Sequence, residues 1–220
     1  MDSLIFLELA LLVFAASGFI FGAVKYLQPR KPLYASMIVL GVGCIMLGRA
    51  YSFIRLITGL KVAGVFTLGI LGTVGAFLFF FSSNFGQIDS LVDGGEKKFV
   101  KYRLIALVGV IITAALYTVI LLSPAELWEK ITYGFASVAI AAASYFHFKH
   151  LIIPDIDYGV VSCQRTFNAL ALAYGVSCML ELIAMSYMNE TMLIIVCVTE
   201  CILSGLLVPV MDWGVRKWNK

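Results

Sequence analysis

Four ionisable side chains, Glu8, Arg49, Glu181 and Glu200, stand inside long apolar runs of this sequence. Placing such a group in a hydrocarbon core costs about 2.5–3.5 kcal/mol on insertion scales, so each is a candidate for binding or proton transfer. Arg49 can hold one glutamate as a bidentate pair. At least one carboxylate is then expected to lack a cation, and such a group carries a proton or awaits a cationic ligand. Arg55, nearer the rim, is a second possible partner. The structural alternative is that Arg49 and one or two glutamates lock helix packing while Glu8 reaches back to the surface.

Two weaker constellations accompany them. Cys178 precedes Glu181 by three residues, Cys197 precedes Glu200 by three, and Cys201 follows Cys197 by one turn. On helices this spacing sets each thiol near its carboxylate, a donor set that a soft divalent metal accepts. Buried cysteine more often behaves as a small hydrophobe. His147 and His150 share one helical face, and Asp155 and Asp157 follow closely. Metal binding or proton relay is conceivable there, but a satisfied interfacial pair is the plainer expectation, since only Cys163 extends the cluster. No cofactor is specified.

The elements that must position these residues follow from composition. Of 220 residues, 61% are hydrophobic and 13% charged, against about 25% charged in a soluble domain. A membrane crossing takes about 20 apolar residues, and seven such runs fill the chain: 3–24, 33–54, 62–82, 104–122, 131–148, 166–188 and 192–211. The expected fold is therefore a single all-α, seven-transmembrane-helix bundle over residues 1–220. The first run, which has no basic residue ahead of it, is expected to be a helix rather than a removable signal.

Twelve of the sixteen Lys and Arg residues fall on one side of these runs: in the first, third and fifth connections and the tail after Met211. Positive residues stay in the cytoplasm, so the N-terminus is expected outside and the C-terminus inside, in a plasma (inner) membrane. With a rise of about 1.5 Å per residue, the four ionisable residues on helices one, two, six and seven then share one depth, about 7 to 12 Å below the outer surface. Glycines and alanines in the third and fifth runs (Gly64, Gly69, Gly72, Gly75; Gly134, Ala136, Ala139, Ala143) offer surfaces for close helix approach. Pro209 is expected to kink or end the last helix. The 83–103 stretch reads as a solvated connector or a docking surface for a cytoplasmic partner. Asn189-Glu190-Thr191 is a glycosylation sequon hemmed in by two helix ends.

Several function classes are excluded. The net charge of +3 is spread along the chain, so no nucleic-acid partner is expected. The last run has no lysine for a retinal Schiff base, and two histidines on one helical turn cannot ligate haem from facing helices. The expected function is a small transporter or permease, with the bilayer as its surroundings and a solute, ion or external ligand in the charged pocket; self-association is open. A receptor signalling through a cytoplasmic partner comes second, and an intramembrane enzyme third.

Overall fold

The computed structural model describes residues 2–59, 68–89, 92–154 and 159–218, and among these the chain forms seven α-helices and no strand. They are α1 (Asp2–Tyr26), α2 (Leu33–Thr58), α3 (Leu68–Asn84), α4 (Val100–Leu121), α5 (Leu127–Ile152), α6 (Val160–Ser186) and α7 (Glu190–Trp218). Every helix but α3 is long and apolar enough to cross a membrane. Helix α3 has 17 described residues; Lys61 and Gly64, counted above, lie outside the described residues, as do Asp155, Asp157 and Lys220.

Apolar side chains cover the outside of the bundle as well as its core. Phe6, Ile111, Val138 and Ile195 are each more than 60% exposed, an arrangement that lipid accommodates and water penalises. The fold is thus an all-helical bundle of the integral-membrane type. Helices α1, α2, α3, α5, α6 and α7 contact one another in that order and close a ring, and α4 lies outside it against α5 and α6. The core inside the ring is built from Ile38, Val42, Phe77, Phe80, Ile140, Phe167 and Leu207.

Close approach of α2 and α3 depends on glycine. A Cβ placed on Gly72 would stand 2.7 Å from the Cys44 carbonyl oxygen and 2.7 Å from the Gly48 Cα, both backbone atoms that have no room to yield. The small residues of α3 therefore set helix separation.

Helices α5 and α7 reach beyond the apolar runs counted above at both ends, and α6 begins earlier, at Val160, and ends at Ser186. Two expectations need correction. Pro209 neither breaks nor ends α7, which continues through it to Trp218. It removes only the hydrogen bond to the Gly205 carbonyl, and that carbonyl lies beside Gly18 of α1. The 83–103 stretch is solvated only in part: Gly94 to Lys98 are exposed, but it forms a π-helical turn (Phe85–Asp89) and a 3-10 turn (Lys97–Phe99). Ile88, Asp93 and Phe99 are buried, since ion pairs and an apolar contact with Ile153 and Val161 hold the segment on the bundle.

Candidate functional site

Helices α1 and α7 run parallel, which brings Glu8 and Glu200 to one level near the N-terminal end of the bundle and Lys25 and Asp212 together at the other. Arg49 of α2 reaches into the first level. Its Nη1 and Nη2 each donate to Glu181 at 2.7 Å in a bidentate pair, and Nη2 also donates to Glu200 Oε2 at 2.5 Å. Glu8 Oε1 is farther off, at 3.4 Å from Nη1. The structure thus gathers all four residues around one guanidinium. Three carboxylates face one cation, and two of their oxygens, Glu8 Oε2 and Glu200 Oε1, are buried without a hydrogen-bond partner.

A cavity of about 480 Å³ opens above this cluster. Glu8, Arg49 and Glu181 contribute to its wall, with Tyr133, Glu129 and Arg55. Glu200 is fully buried behind them. The mouth is shaped by a capping box at the start of α5: the Glu126 amide donates to Glu129 Oε2 at 3.2 Å, and the Glu126 side chain accepts from the Glu129 amide. This satisfies two helix-end donors and holds both carboxylates at the rim. Arg55 lines the cavity, where its charge acts on Glu8; among the described residues it forms no ion pair. At the same end Asn189 caps α7, accepting from the Met192 amide at 3.0 Å, which commits the sequon side chain to the turn.

Below the acidic level an aromatic layer closes the bundle. Phe77 stacks on Tyr174 with ring centres 5.9 Å apart, and Phe80 meets Phe77 and Phe167 edge-on. Beneath it lies a second polar level about 20 Å from the first along α6. His147 Nδ1 is 2.8 Å from Asn168 Oδ1 and 2.9 Å from Asn84 Nδ2. His150 sits between Asn84 Oδ1 at 2.7 Å and Asp89 Oδ1 at 3.1 Å. Lys149 is buried between Asp89, at 2.5 Å, and Asp93, and Arg103 grips Asp93 with Nε at 2.8 Å. The Arg103 hydrogen bond and the Lys149 charge hold the Asp93 carboxyl down to about 2. Burial works to raise Asp89, but hydrogen bonds from His150 and Lys149 outweigh it and leave the group below its ordinary value.

Lys149 and Arg103, counted above only as topology signals, are thus structural members of an ion-pair ladder. Asn84 and Asn168 were not singled out by sequence, though an amide in an apolar run was a usable signal. A third group, Lys25, Tyr26 and Arg216 around Asp212, ties α1 to α7.

Among the described residues no three metal-ligating side chains gather in a way that holds an ion. Cys197 and Cys201 pack against Leu11 between α1 and α7, while Cys178 belongs to the main core. His147 and His150 are held by amides and Asp89 instead. All five cysteines are free thiols. Comparison with protein-family models, curated proteins and solved structures finds no match to this chain.

Proposed function

We propose that this chain is a small multi-pass transporter or permease that crosses the plasma (inner) membrane seven times, N-terminus outside and C-terminus in the cytoplasm, and takes its solute into the cavity above Arg49. The observation that carries this reading is that the cavity's floor is charged and its depth is sealed. Glu8, Arg49 and Glu181 face an opening to one side of the bundle, and the Phe77, Phe80, Phe167 and Tyr174 rings close the way to the other. A half-channel that ends on charged groups and an apolar plug suits a carrier that exposes its site to one side at a time. The excess of carboxylates favours a cation or proton as solute or coupling ion.

The experiment is reconstitution into proteoliposomes on a solid-supported membrane, challenged in turn with amino acids, organic amines, sugars and alkali cations. One class is expected to give a transport current, and Glu181→Gln to abolish it. Currents for no class would overturn the transport reading; an unchanged rate in Glu181→Gln would remove that residue from the site.

A receptor is the second reading. One observation favours it: the 83–103 stretch is folded and anchored by Phe99 and Asp93, which presents an ordered surface to a partner at the end away from the cavity. Co-purification of a defined partner in mild detergent, lost on deleting that surface, would support it over transport.

A further inference from the structure

We propose that the Glu8, Arg49, Glu181 and Glu200 cluster is a proton-binding site in which Glu200 holds the proton and Glu8 admits it from the cavity. Coupling of that proton to a solute rests on the transport reading; the binding itself does not.

Charge counting opens the argument. Three ionised carboxylates around one guanidinium leave two negative charges in a bundle interior, and isolated buried charge is costly enough that the group neutralises instead. The hydrogen bonds say where. Arg49 occupies both oxygens of Glu181 and one oxygen each of Glu200 and Glu8. The two oxygens left over, Glu200 Oε1 and Glu8 Oε2, are buried and unpartnered. A carboxylate oxygen with no donor is the position that an acid hydrogen fills. Glu200 is sealed completely, whereas Glu8 contributes to the cavity wall, so exchange with water runs through Glu8.

A metal cation fits less well. It needs several oxygens converging on one point, and among the described residues no three metal-ligating side chains gather to hold an ion. A proton needs one oxygen. The other titratable or charged groups around the cluster and its cavity are Arg55 from α2, Glu126, Glu129 and Tyr133 at the start of α5, Tyr174 and Cys178 from α6, and Cys197 and Cys201 from α7. Arg55 is the only further cation among them, and it stands at the cavity rather than behind Arg49. In loading, a hydronium ion from cavity water gives its proton to the Glu8 carboxylate, leaving water and a neutral acid. That proton passes to Glu200 as Glu8 returns to its anion, and a second hydronium ion then protonates Glu8 in the same way, so that both open oxygens carry a proton; no electron changes hands.

The test is difference infrared spectroscopy of the purified full chain, read at the C=O stretch of protonated carboxylic acids. At pH 7 the wild type is expected to show that band, and Glu200→Gln to lose roughly half of it, since two protons balance the cluster. Glu200→Asp, which keeps a carboxyl if the amide variant misfolds, is expected to restore the band at a shifted position. Absence of the band at pH 7, or a band unchanged in both Glu200→Gln and Glu8→Gln, would overturn the proposal. So would a rise in thermal stability at pH 8 when sodium chloride replaces choline chloride, because that identifies a metal cation as occupant. A Glu200-dependent band in a protein that moves no solute would leave the proton site standing and remove the transport reading alone.

Discussion

Arg49 Nη2 and Glu200 Oε2 meet at 2.5 Å although 151 residues separate them in sequence, and this contact joins α2 to α7 at a level where the glutamate is sealed from solvent. The same guanidinium holds Glu181 of α6 and reaches Glu8 of α1, so one side chain ties four helices.

Removing that side chain should therefore do more than empty a pocket. Arg49→Gln leaves three buried carboxylates without their cation, and loss of one partner from a buried pair costs about 3–5 kcal/mol. Protonation of the glutamates relieves part of this, so the loss of thermal stability in detergent is expected to be larger at pH 8 than at pH 6. A variant as stable as the wild type at pH 8 would contradict the central role given to Arg49.

Gly72 is expected to tolerate no side chain. Its Cβ would meet backbone atoms of Cys44 and Gly48, whereas a Cβ on Gly205 would meet the Phe14 ring, which can turn aside. Overpacking of this kind costs about 1–3 kcal/mol or more when backbone must move. Gly72→Ala should lower the melting temperature clearly more than Gly205→Ala; equal effects would show that α2 and α3 separate freely.

Acid should loosen the segment that follows α3. The Asp93 carboxyl lies at about 2 when folded, against an ordinary value of 3.8. A group depressed in the folded state contributes stability that is fully present above the ordinary value and disappears as pH falls through the folded one. Proteolysis within residues 83–103 is thus expected to rise between pH 4 and pH 2. Asp93→Asn should show the exposed state already at pH 7, with little further change on acidification. A cleavage rate in Asp93→Asn that matches the wild type at every pH would break the link to this ion pair.

The seven-crossing topology is open to a direct check. Reporter fusions after residues 96 and 220 should read as cytoplasmic and those after residues 124 and 188 as external. Residues 96 and 124 on the same side, or 59 and 96 on the same side, would mean that α4 or α3 respectively does not cross.

Much of the fold was legible because burial in lipid demands long apolar runs, and a run of that kind leaves few alternatives to a helix. Each expected span overlaps one of the helices found. Lys149 reads as a surface cation in one dimension; only the fold of the 83–103 stretch reveals Asp89 and Asp93 beside it. The pairs of Cys178 and Cys197 with their glutamates looked like a donor set by spacing alone. In the fold Cys178 hydrogen-bonds Glu200 of α7 rather than pairing within its own helix, and Cys197 packs against Leu11, because helical spacing says nothing about which neighbour occupies the facing surface.

Residue types and their positions determined by themselves that this chain is a bundle of apolar helices and that three acids and one arginine share a depth in it. Depth follows from counting residues along a helix of fixed rise. Which helices are neighbours, and at what rotation, is decided by side-chain packing around the whole ring. That packing alone turned four residues at one level into one cluster, placed a cavity in front of Arg49 and sealed Glu200 behind it.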